Sequence, residues 1–151
     1  MKRKLRELCL MLTATAGKRT LVGFGDWSAT DPEGQIKRCQ PGGPAKKLKA
    51  ELRRYCTVAL IPKFRTSKLH AGCHQELTYM QRLQRGRDGV ERRVRVFGVL
   101  HCFNNGCQGT TVNRDTNASQ SILLLTQYYL ANGVRHPDFG RPTFETRGRA
   151  I

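Results

Sequence analysis

Acidic side chains are scarce in this chain: Asp and Glu total 11 against 27 Lys and Arg, a formal net charge of +16. Such a cation excess repels itself in a compact fold unless a polyanion neutralises it, which points to nucleic acid or an acidic membrane surface, nucleic acid first. Long apolar runs are missing too. None approaches the ~20 residues that span a bilayer, so no membrane partner is expected. Aromatics are few, with one Trp and an apolar fraction of 38%, so the core of a chain of one-domain length must be modest. No internal repeat is present. A secretory leader is also not expected. MKRKLRELCLMLTATAG has a basic start and small residues, but Glu7 interrupts it and Leu8–Leu12 is shorter than an apolar leader core of about 7–15 residues. Leu5, Leu8, Cys9 and Leu12 fall instead on one face of a helix that Gly17 is placed to end. The six cysteines therefore read as thiols of an intracellular protein rather than as a disulfide scaffold, with Cys9, Cys39 and Cys56 as buried free thiols.

Further along, LVGF (Leu21–Phe24) is a short buried strand ending at Gly25 and Asp26. A carboxylate leaving a strand lies where ligands often bind in α/β sheets, although a turn residue would look the same. After an irregular stretch to Gly43, Pro44 opens AKKLKAELRRY, a helix with Leu48 and Leu52 as a narrow apolar stripe. CTVALI (Cys56–Ile61) is a second strand, stopped by Pro62. Strand, helix, strand makes α/β the expected class. Residues 63–77 show no period, and a basic stretch, QRLQRGRDG, follows them. In ERRVRVFGVLHC, Val94 and Val96 alternate with Arg93 and Arg95, a strand with one charged face. Ala118, Ile122, Leu125 and Tyr129 then mark an amphipathic helix ending near Asn132–Gly133, and the Pro/Gly/Arg-rich tail from position 134 is expected to be flexible.

Chemistry concentrates in TSKLHAGC and HCFNNGCQGTTVNRDTN. His70-x2-Cys73 and Cys102-x4-Cys107 each have a loop that lets two ligands grip one side of an ion, and residues 74–101 can return as a hairpin. Four N/S ligands are what structural zinc prefers, so zinc is the expected cofactor. His74 or His101 could stand in for His70. Asp115 stands at the start of the last helix, where a capping Asp is ordinary.

The order of these motifs resembles the C-terminal end of TnpB nucleases, more closely their Fanzor relatives, and extends to type V CRISPR effectors. Those proteins have a RuvC-like, RNase H-fold nuclease with a zinc-binding insertion. Their last catalytic Asp lies in an R-D-x-N-A-like motif, matched by Arg114, Asp115, Asn117 and Ala118, and FGDWSA around Asp26 is similar to the Fanzor segment at the second motif. The resemblance covers roughly positions 20–145. It implies RNA-guided DNA cleavage by magnesium ions held on three carboxylates. Two departures stand against that activity: no early strand with the first Asp fits into residues 1–20, and Lys63 replaces a Glu often found before the knuckle.

The expectation is therefore a partial RNase H-like (RuvC-like) fold with an inserted zinc ribbon. Its parts are a strand–helix–strand segment over 1–62, the ribbon over 63–114, the final helix over 115–133 and a flexible basic tail over 134–151. Asp115 and Asp26 remain of the catalytic set, and magnesium would bind only if another chain or a missing N-terminal half completed it. The expected function is a nuclease remnant that still binds DNA or guide-like RNA, located in the nucleus if the source is eukaryotic. The alternatives are an active nuclease completed by a second chain and a non-catalytic zinc-ribbon adaptor. Arg82, Arg85, Arg87, Arg93, Arg95 and Arg114 are the expected phosphate-binding residues, with too few aromatics among them for a base-stacking platform.

Overall fold

The computed structural model describes residues 2–26, 44–107 and 110–141, and the chain divides into two compact units, Met1–Lys63 and Phe64–Ile151. Helices and two small sheets mix along the chain, as the α/β expectation requires. Among the described residues no helix is long and apolar enough to cross a membrane.

The first unit runs α1 (Lys2–Leu12), β1 (Leu21–Asp26), α2 (Pro44–Leu52) and β2 (Thr57–Pro62). The strands pair in parallel, from Leu21 opposite Thr57 to Asp26 opposite Pro62. Parallel neighbours need a crossover, and α2 lies in it. Cys9, Leu52 and Cys56 form the core, with Val22, Phe24, Leu48, Tyr55 and Val58 packed on it. The apolar face expected on α1 is only partly used: Cys9 is buried, while Leu8 and Leu12 stay 40% and 50% exposed. Among the described residues, a two-stranded sheet and a nine-residue helix offer little surface to cover more. The helix also stops before Gly17. The Thr13 hydroxyl donates to the Cys9 carbonyl at 2.9 Å, and Gly17 opens a separate 3-10 turn. Cys39 lies outside the described residues, as do Trp27, Ser28 and Ala29 of the FGDWSA segment.

The second unit is an antiparallel sheet in the order β3 (Leu77–Arg85), β4 (Glu91–Cys102), β5 (Thr111–Asn113), followed by α3 (Arg114–Asn132). The hairpin turn closes with Gly86 N–H on the Val90 carbonyl at 2.9 Å and Gly89 N–H on the Gly86 carbonyl at 3.0 Å. Gly89 sits at φ +77, where a side chain would be strained. Further in, the register breaks: Tyr79 faces Leu100 but Gln81 faces Arg95, so residues 96–99 stand opposite Met80 alone. This bulge turns around Gly98 at φ +73.

Capping of α3 differs from the expectation at one end. Asn113, not Asp115, is the N-cap, its side chain accepting from the N–H groups of Asp115 and Thr116. Gly133 closes the other end in the left-handed conformation, as expected. The buried face is rotated from the apolar one: Asn117, Ser121, Leu125 and Thr126 are buried, whereas Tyr129 is 57% exposed. Polar residues turn inward because Asn117 has backbone partners waiting there. The tail expected to be flexible is packed over its first part, where Pro137–Phe139 forms a 3-10 turn and Phe139 is fully buried; residues 142–151 lie outside the described residues.

Ser121 Oγ is buried without a hydrogen-bond partner among the described residues. A buried, unsatisfied hydroxyl opposes folding. Ser121→Ala is therefore expected to stabilise the chain by about 1 kcal/mol, read as a higher denaturant midpoint at unchanged slope.

Candidate metal centre and the basic hairpin

The knuckle before β3 is built by local backbone bonds. Leu69 bridges Glu76, His70 N–H donates to the Gln75 carbonyl at 2.9 Å, and His74 N–H closes a turn onto the His70 carbonyl at 2.8 Å. This presents His70 and Cys73 on one side. Opposite them, β4 delivers Cys102 at its last residue, and the Asn105–Cys107 3-10 turn brings Cys107 back. Asn104 sets that turn, its carbonyl accepting from Cys107 N–H at 2.9 Å and its side chain from Gly106 N–H at 3.1 Å.

The ligand atoms of His70, Cys73, Cys102 and Cys107 all lie within 4.8 Å of one another. His70 Nδ1 is 3.3 Å from Cys73 Sγ and 3.4 Å from Cys107 Sγ, and the Cys73 and Cys102 sulfurs are 3.5 Å apart. Tetrahedral zinc, with Zn–S about 2.3 Å and Zn–N about 2.0–2.1 Å, sets its ligands about 3.3–3.8 Å apart. The group is thus close enough to hold a metal ion, and its donors are compatible with zinc. Cys102 is fully buried, so the site closes on its inner side.

Hydrogen bonding prepares one thiol for an ion. Burial pushes Cys73 up, but donors from the Asn104 side chain, the Gln75 backbone, His70 and Cys107 outweigh it and hold its pKa at about 6. Cys107, as a donor to Cys73, is pushed up to about 12. Cys73 therefore meets a cation as thiolate at neutral pH, whereas Cys107 gives up a proton on binding. The two alternative histidines are engaged elsewhere. His101 Nδ1 lies 3.1 Å from Thr111 Oγ1, and His74 Nδ1 lies 2.8 Å from Asp138 Oδ2.

Asn117 holds the knuckle from behind. Fully buried on α3, it donates to the Leu69 carbonyl at 2.7 Å and the Thr66 carbonyl at 3.4 Å, and accepts from Ala71 N–H at 2.9 Å. One side-chain amide thus fixes the backbone on both sides of His70. Asn104 and Asn117 are the residues that ligand spacing alone does not reveal.

The expected catalytic carboxylates have different surroundings. Asp26 ends β1, exposed, with Lys49 Nζ at 4.0 Å. Asp115 is 78% exposed and takes two bonds from Arg114, at 3.0 and 2.9 Å. Among the described residues, neither belongs to a group of close metal ligands.

On the hairpin, residues paired across strands share a face. Gln81–Arg95, Leu83–Arg93 and Arg85–Glu91 define one face, which carries Arg85, Arg93 and Arg95. Arg82 lies on the other, with Gln84, Arg92 and Val94. Arg87 is exposed in the turn. Aromatics are closer to the arginines than their number suggested: Arg95 lies over Tyr79 at 5.0 Å, and Arg114 over Phe97, itself 86% exposed, at 5.2 Å. No family model and no curated protein matches the chain.

Proposed function

We propose that the second unit is a zinc ribbon that binds DNA or a guide-like RNA through backbone phosphates, in a chain related to the TnpB and Fanzor RuvC-like nucleases but not itself cutting nucleic acid. The observation that carries the reading is the convergence of one imidazole and three thiols on one centre. Soft thiolates in a four-donor set favour zinc over the oxygen-seeking ions. The net charge of +16 and the exposed arginine face of the hairpin support a polyanionic partner. The parallel β1–α2–β2 unit is a fragment an RNase H-like sheet would contain. Inactivity is supported by the cation set against each remaining carboxylate, Lys49 on Asp26 and Arg114 on Asp115, where a nuclease needs acids free to hold magnesium. Work on a nucleic-acid target places the protein inside the cell, in the nucleus of a eukaryote.

Binding is expected to fall steeply with salt and to vary little with sequence. Replacing Arg85, Arg93 and Arg95 together by Gln should lower the slope of log K against log salt by about 2–3 on duplex DNA. Arg82→Gln, on the opposite face, should leave it nearly unchanged. Equal slopes for the triple variant and the parent would refute phosphate binding by this face. Incubation with magnesium and single- or double-stranded DNA should give no cleavage; cleavage lost in Asp115→Ala would instead establish an active nuclease.

A further inference from the structure

We infer that a second divalent metal ion binds beside the first centre, held by His74, His136 and Asp138. One ligand atom of each lies within 4.8 Å of the others. His74 Nδ1 is 2.8 Å from Asp138 Oδ2, and His136 Nδ1 is 3.7 Å from that same oxygen. A hydrogen-bonded His–Asp pair needs one imidazole; here two converge on one carboxylate, their rings meeting edge to face at 4.7 Å. Two imidazoles and a carboxylate suit zinc, cobalt or nickel and leave a position for water.

The surroundings fit a bound ion. The histidines are mostly buried, His74 at 22% and His136 at 15% side-chain exposure, while Asp138 at 49% leaves the group open to solvent on one side. The buried Phe139 ring packs edge-on against both imidazoles, and Tyr128 packs on His136. His136 Nδ1 also accepts from Asp138 N–H at 3.3 Å, a long bond that an ion on Nδ1 replaces and an ion on Nε2 leaves in place. An ion on His74 Nδ1 takes the place of that nitrogen's bond to Asp138 Oδ2, and the neutral ring then carries its proton on Nε2.

His74 sits at φ +59, a left-handed conformation that non-glycine residues seldom adopt. That twist sends the consecutive side chains of Cys73 and His74 to different groups, one toward the thiols and one toward His136 and Asp138. The inference stands whether or not the chain binds nucleic acid.

Cobalt(II) titration of the full chain tests it. Two equivalents should bind. One should bring intense thiolate-to-cobalt charge-transfer absorption, and the other only weak ligand-field bands. His136→Gln and Asp138→Asn should each keep the thiolate spectrum and weaken the second equivalent by at least the roughly 10–100-fold that follows loss of an outer partner. Saturation at one equivalent, or a second equivalent unchanged in both variants, would overturn the proposal. In the unaltered chain, the second equivalent of zinc should shift the ring-proton resonances of His74 and His136, and unshifted resonances would overturn it equally.

Discussion

Asn117→Ala is expected to destabilise the chain by about 2–6 kcal/mol. The estimate follows from two strong bonds inside a fully buried site: the amide donates to the Leu69 carbonyl at 2.7 Å and accepts from Ala71 N–H at 2.9 Å. Each buried backbone group left without its partner costs about 1–3 kcal/mol, against a total domain stability of about 5–15 kcal/mol. Asn117→Leu fills the space without the bonds, so its comparison with the alanine variant separates lost volume from lost hydrogen bonding. Both variants should also bind zinc more weakly, because the freed backbone flanks His70 on both sides. Denaturant midpoints and metal titrations check this together. A leucine variant within about 0.5 kcal/mol of the parent would show that the amide does not hold the knuckle.

Removing the metal should have a larger effect still. Structural zinc contributes on the order of 10–16 kcal/mol to the folding of small finger peptides, comparable to a whole domain's net stability of about 5–15 kcal/mol. The second unit has little else to compensate. Among the described residues its buried apolar ones are Leu69, Leu100, Cys102, Leu125 and Phe139, and Leu69 and Cys102 belong to the knuckle and the centre themselves. Chelation, or Cys102→Ser at the fully buried ligand, should therefore disorder the knuckle, the hairpin base and the first turns of α3. Circular dichroism should fall, and amide exchange should accelerate first around residues 66–78 and 100–107. An unchanged spectrum after complete removal of zinc would mean that hydrogen bonds and packing suffice. Affinity should also fall with acid, because protons compete for the thiolates and the imidazole.

The convergence of His70, Cys73, Cys102 and Cys107 was legible because each pair is local: two and four residues lie between the members, and spacing alone lets each pair face one centre. The parallel strand–helix–strand of the first unit was legible for a similar reason, its β-branched runs being short, uncharged and punctuated by Gly and Pro. β3 was not. Leu77–Arg85 mixes Gln81, Arg82, Gln84 and Arg85 with Leu77, Met80 and Leu83 out of any period of two and is almost wholly exposed, so it has no alternation to read; it is a strand because β4 pairs with it. The inward face of α3 was hidden by chemistry: Asn117 and Ser121 read as solvent-facing, yet the knuckle's carbonyl and N–H groups draw the amide inside. His74, His136 and Asp138 meet only through the fold, which no spacing rule reaches. Asn117 also shows how a motif can carry a second meaning, since the residue matched to a nuclease signature beside Asp115 does structural work for the metal knuckle.

X-ray absorption at the zinc edge of the chain carrying one equivalent of zinc tests the central claim most directly. Three sulfurs at about 2.3 Å and one nitrogen at about 2.0–2.1 Å are expected. A shell of nitrogen and oxygen alone, or a chain that retains no zinc, would contradict it.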